Sequence, residues 1–139
     1  MTCEHLARLY YRLFNERRLD EAAQLVHPHA SFRYVATRQH LIGRAGYRAL
    51  VKGWLDAFED GRLEILSLTV AEDHIVKVEL LGRGTQTGDL ILGEALTIPA
   101  TGVAGALMFR ETLDIRDGFI VNVQLEFDLE QLENQLLES

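Results

Sequence analysis

Residues 120–136, IVNVQLEFDLEQLENQL, decide how the rest of the chain is read. From Ile120 to Phe127 apolar and polar residues alternate, the period-2 pattern of a strand with two unlike faces. At Asp128 the pattern changes to Leu129, Leu132 and Leu136, spacings of three and four that form one helical stripe. Asp128 thus stands where a strand hands over to a helix. Asp is a preferred N-cap residue. A carboxylate moored on a rigid strand beside a turn also suits acid–base chemistry. The local pattern leaves both readings open.

Working outward, residues 103–115 and 119–127 read as two strands joined by the Arg116-Asp117-Gly118 turn. Residues 63–70 and 75–81 form a hairpin around Glu72-Asp73-His74. Gly82, Gly84 and Gly88 surround Thr85 and Gln86 and let a strand bend or bulge. Residues 90–98 are apolar but weakly patterned, and Pro99 to Gly102 break them, so they read as an ordered insertion or lid. Helical spacing marks residues 3–15 (Leu6, Leu9, Tyr10, Leu13, Phe14), with Thr2 as cap, and residues 19–26. It marks a third helix from about 47 to 58, with Leu50, Val51, Trp54, Leu55 and Phe58 as its stripe. Pro28 stops the second helix, and residues 30–35 form a short strand. Helices first and a long sheet afterwards make an α+β domain.

At 139 residues the chain suits one domain, 1–139, with a core that needs neither disulfide nor metal. Its 47% hydrophobic and 25% charged content are those of a soluble globular protein. The net charge of −7 argues against nucleic-acid binding, which needs a basic face. A single cysteine, Cys3, excludes an internal disulfide framework. The N-terminus lacks an apolar signal core and no run approaches membrane-spanning length, so the expected location is cytoplasmic, without a membrane partner. His27 and His29 flank Pro28 on a turn with no Cys or carboxylate to complete a ligand set, so no metal site is expected. There is no Gly-x-Ser-x-Gly elbow. The glycines at 82, 84 and 88 sit in strand and form no phosphate loop.

Asp117-Gly118, Ile120, Asp128, Leu132 and Gln135-Leu136 follow one another in a recognisable order. Gly43, Gly46, Ala57-Phe58-Glu59-Asp60, Asp73, Gly84-Thr85 and Thr101-Gly102 precede them. With these landmarks the chain resembles the SnoaL-type polyketide cyclases of the nuclear transport factor 2-like superfamily. The resemblance implies a cone-shaped curved mixed or antiparallel sheet, closed by three N-terminal helices around one apolar pocket. It implies that Asp128 reaches into that pocket, that no cofactor is used, and that two copies pair through the outer sheet face as a homodimer. The chain departs from the family at Gln86, where His is usual, at Gln124, where Trp is frequent, and at Asn122, where Glu is frequent.

The implied chemistry is aldol cyclisation or isomerisation of a small apolar carbonyl substrate, with Asp128 as general acid and base. An exposed Asp, with a pKa of about 3.9, is a feeble base, and burial would raise it toward the proton being moved. Arg110 and Thr112 share one strand parity, and Gln124 shares that of Asp128, so these are candidate substrate donors. Gln86, Arg33, Tyr34 and His40 fall in segments that line the pocket mouth in the resembling family. Trp54 is a core residue or a substrate platform. Asn122, Gln124, Glu126 and Asp128 form a wholly polar face, which suits a site, solvent or a subunit interface. Two alternatives stand beside the cyclase: a non-catalytic binder of a small apolar ligand, and an epoxide hydrolase-like enzyme using Arg110, Asp114 and Asp128.

Overall fold

The computed structural model describes residues 1–94 and 96–137; Ala95, within the expected insertion, lies outside them. Asp117 (φ 52°) and Gly118 (φ 79°) both adopt the left-handed conformation between the paired residues Arg116 and Phe119. This is the two-residue turn whose twist matches that of flanking antiparallel strands. It joins β7 (Ala104–Arg116) to β8 (Phe119–Phe127) and pairs Ile115 with Ile120; a bulge between Asp114 and Ile115 then shifts the register by one, placing Leu113 opposite Val123 and Glu111 opposite Leu125.

Around this hairpin the sheet runs β2-β1-β8-β7-β4-β3, with β1 (Val26–Tyr34), β2 (Gln39–Ile42), β3 (Arg62–Ala71) and β4 (Ile75–Thr85). β1 lies parallel to β8 and the other neighbours are antiparallel, so the sheet is mixed. Helices α1 (Cys3–Asn15), α2 (Leu19–Gln24) and α3 (Gly43–Ala57) pack on its inner face. Thr2 caps α1 by accepting from the His5 N–H at 3.1 Å. Leu6, Ala7, Tyr10, Tyr11 and Leu13 are buried along its stripe. The amide of Asn15 donates to Leu63 O and accepts from Leu63 N–H, both at 2.8 Å, so the end of α1 is clamped to β3.

Three boundaries differ from expectation. Pro28 does not break the chain but lies inside β1, where the pairing to β8 shifts register between Val26 and Ser31; a bulge accommodates its missing N–H. α2 accordingly stops at Gln24. α3 begins at Gly43 because φ there is +71°, and a Cβ would come 2.5 Å from the carbonyl oxygen of Pro28.

The insertion is an ordered hairpin of β5 (Leu90–Leu92) and β6 (Leu96–Ile98). Leu90, Leu92 and Ile98 are buried with Ala57, Leu107, Leu125, Leu132 and Leu136 in a second core at the end of the sheet, which α4 (Leu129–Leu137) completes. The fully buried Gln86 holds the hairpin. Its amide nitrogen donates to the carbonyls of Ile98 (2.8 Å), Gly88 (3.2 Å) and Pro99 (3.2 Å), and its oxygen accepts from the Thr101 hydroxyl (2.7 Å). An apolar replacement would leave these groups buried and unpaired. Gln86→Leu is expected to destabilise the protein by about 2–4 kcal/mol in urea unfolding. It should also open residues 88–102 to limited proteolysis. Unchanged cleavage there would show that the hairpin is held by its leucines alone.

Candidate active site

Between the inner sheet face and α1, α3 and α4 lies a cavity of about 140 Å³. Inward-facing positions of β4, β7 and β8 supply Leu80, Leu107, Phe109, Val123 and Leu125 to its wall. Among these apolar side chains β7 also places Glu111, flanked in register by Val78 and Leu125. It is the one carboxylate among the described residues of the lining. No hydrogen bond or cation reaches its carboxyl among the described residues, and the side chain is half-buried in the cavity lining. Burial pushes this carboxyl from 4.5 up to about 8.

Helices α1 and α3 and strand β1 surround Glu111 with phenols. Tyr10 meets Tyr11 at 5.2 Å and Tyr47 at 5.5 Å between ring centroids, and Phe32 stacks behind Tyr47 at 6.1 Å. Burial, reinforced by the nearby Glu111 charge, pushes the hydroxyls of Tyr10, Tyr11, Tyr34 and Tyr47 up, so all four stay neutral donors. Among the described residues the buried hydroxyls of Tyr11 and Tyr47 have no hydrogen-bond partner. Such groups cost free energy unless a ligand, water or function explains them. Toward the other end, Trp54 meets Tyr34, Phe58, Phe109 and Phe127 at 5.5–6.3 Å, and its indole N–H donates to the Tyr34 hydroxyl at 2.5 Å. Gly82 makes room here: a Cβ would come 2.6 Å from the Phe109 ring.

The expected site residues fare unequally. Tyr34 and Trp54 line the cavity, and Trp54 also packs against the second core. Asp128 does not enter it. Val123, Leu125 and Phe127 take the inward positions of β8, so the polar residues Asn122, Gln124, Glu126 and Asp128 fall on the opposite side. The exposed Asp128 carboxylate accepts from the Gln131 N–H at 3.1 Å and caps α4. Arg110, Thr112 and Gln124 do converge, with Thr112 opposite Gln124 and Arg110 opposite Glu126, but on the exposed outer face. Arg33 and His40 are exposed as well, and the His40 ring bonds the Ser31 hydroxyl at 2.7 Å. Gln86 serves the β5–β6 hairpin and is not in the lining. Nor do Arg110, Asp114 and Asp128 form a hydrolase triad: Asp114 pairs with Arg116 at 3.1 Å near the turn, four positions from Arg110.

Glu111 went unread in the sequence, although a signal was present. Leu107, Phe109, Leu113 and Ile115 give β7 an apolar parity, and Glu111 is the single charge interrupting it. A charge at a core position of a strand is the informative exception to burial statistics.

A family model described as SnoaL-like polyketide cyclase matches residues 4–136. TsrD from Streptomyces laurentii is similar in structure, with 26% identity, 98% of this chain and 95% of that chain covered, and a TM-score of 0.79. A Xanthomonas campestris protein classed with the polyketide cyclases gives 21% identity, 96% coverage of each chain and a TM-score of 0.79. A Catenulispora acidiphila protein with a ketosteroid isomerase-like fold, in complex with trimethylamine, gives 14% identity, 94% and 91% coverage and a TM-score of 0.75. No functionally curated protein matches the sequence.

The raised carboxyl carries a stability signature. Glu111 titrates near 4.5 when unfolded and about 8 when folded, so the folded state holds its proton longer and folding is increasingly opposed as pH rises between those values. Glu111→Gln escapes this. It should be about as stable as the parent at pH 4 and more stable by up to about 4 kcal/mol at pH 8 in urea unfolding. A difference that stays constant across that range would show that Glu111 is not desolvated.

Proposed function

We propose, from the premise that this chain belongs to the SnoaL-like polyketide cyclase family, that it is a cofactor-free catalyst of isomerisation or ring closure in a small apolar carbonyl compound, with Glu111 as its acid and base. The observation that carries this reading is the lone carboxyl of an apolar, phenol-lined cavity, raised to about 8. A base of that strength matches the proton between two carbonyl groups far better than an exposed carboxylate does. Ionised Glu111 takes that proton, and the electron pair moves onto the carbonyl oxygen to give an enolate. A buried phenol donates to the oxygen as its charge develops. The protonated carboxyl then returns its proton, either to a second carbon or to the alkoxide formed when the enolate carbon attacks another carbonyl. A cavity that folds the substrate lowers the entropic barrier to closure. The trimethylamine complex of the Catenulispora protein supports reading such cavities as small-molecule sites.

The reaction needs ionised Glu111, so kcat/KM for a β-dicarbonyl substrate should rise with pH and level off above about 8. Glu111→Gln should cost about 10²–10⁴-fold in that parameter, the usual worth of a positioned acid–base group. Asp128→Asn should turn over like the parent. Parental turnover in Glu111→Gln would sink the proposal. Ligand binding without turnover in either protein would favour the non-catalytic binder.

We also propose that two copies pair through the outer sheet face, on which Arg110, Thr112, Gln124 and Glu126 lie exposed side by side. Light scattering on a size-exclusion column should give twice the chain mass. Monomer at every concentration would refute the pairing.

A further inference from the structure

At the rim of the same cavity, Arg62 of β3 and Arg83 of β4 are direct cross-strand partners, and both line the opening while remaining exposed. Like charges placed directly opposite destabilise a sheet. Neither forms an ion pair with any described residue. Arg17 adds a third guanidinium. It lies outside the lining but beside Arg62, where it donates to the carbonyls of Phe14 (3.1 Å), Glu59 (2.9 Å) and Gly61 (2.6 Å), and partial burial together with the Arg62 charge lowers its pKa. Asp60 lies close enough to favour the Arg17 charge, but its carboxylate accepts from the Thr85 N–H at 2.8 Å and reaches none of the three arginines. An acidic chain, net −7, therefore gathers unneutralised cations at the entrance of an apolar cavity.

We infer that the rim formed by Arg62 and Arg83 binds the carboxylate or phosphate of an amphipathic ligand whose apolar part fills the cavity. Guanidinium groups present paired N–H donors that match such oxyanions, and a bound anion removes the repulsion between the facing arginines. Glu111 pairs with Val78, and Arg83 lies five residues further along β4. At ~3.3 Å per residue the anion and the reacting carbonyl would be separated by up to about 16 Å. The assignment rests on reading this cavity as the ligand site and narrows the substrate class to molecules with an anionic end.

Calorimetric titration with naphthylbutanoate, the matching primary amide naphthylbutanamide, and naphthylbutyl phosphate tests it. Both anions are expected to bind about fivefold or more tighter than the amide, and added salt should narrow the gap. Whichever anion gains more identifies the ligand's head group. In the Arg62→Gln/Arg83→Gln double variant the gap should close while the amide affinity stays parental, which also shows that the cavity is intact. The Arg62→Lys/Arg83→Lys variant should recover part of the gap. Equal affinities in the parent protein, a gap that survives the double Gln variant, or no binding by any of the three overturns the assignment. The anion preference should persist in Glu111→Gln. That result separates the rim from the catalytic reading, since turnover can fail while the preference stands.

Discussion

The register between β7 and β8 is the constraint from which the remaining geometry follows. A strand's side chains alternate strictly, so a slip of one residue would exchange its two faces. Arg110, Glu111 and Thr112 are consecutive, yet the first and third lie on the polar outside and the second in the apolar interior. The left-handed pair Asp117-Gly118, together with the one-residue bulge between Asp114 and Ile115, sets the pairing that sends Glu111 inward with Leu113 and Val123. The desolvated carboxyl, the polar exterior and the capping position of Asp128 all follow from that turn and bulge.

Burying Glu111 costs free energy that the fold must offset elsewhere. Its neighbours on the sheet, Val78 and Leu125, offer no side-chain hydrogen bond, and two adjacent phenols find no partner among the described residues. Sites built this way trade stability for chemistry, because a group already stripped of water needs no reorganisation when a reactant arrives. The surrounding core supplies the compensation: Leu80, Leu113, Ile120 and Phe32 are almost completely buried in the same core cluster.

Much of this was legible in the sequence, because it rests on periodicity and turn chemistry. The alternation over 120–127, the Asp-Gly turn, the Thr2 cap and the stripe of the first helix all recur in the structure within a residue or two. The likeness of the whole chain to its family was legible too, through glycines and turn residues at fixed intervals. What misled was a single residue read for its chemistry although its parity already grouped it with a wholly polar face. Asp128 stands at an attractive place, but the leucines and valine of β8 claim the interior and leave it the outside. Pro28 misled for a related reason: a proline stops a regular element only where no bulge absorbs it, and bulges come from tertiary pairing. Gln86 looked like a pocket donor because an amide can serve either a ligand or a backbone, and only packing decides which.

The way Gln86 fastens the β5–β6 hairpin bears on how this scaffold diversifies. Three of its four contacts are to main-chain carbonyls, which every amino acid possesses. The hairpin can therefore change its own side chains without losing its attachment. Leu90, Leu92 and Ile98 press on the core that closes one end of the cavity, so such changes would reshape the chamber while the sheet carrying Glu111 stayed in place. Selection for a new substrate would then have an interchangeable end wall to work on, separate from the residues proposed to transfer the proton.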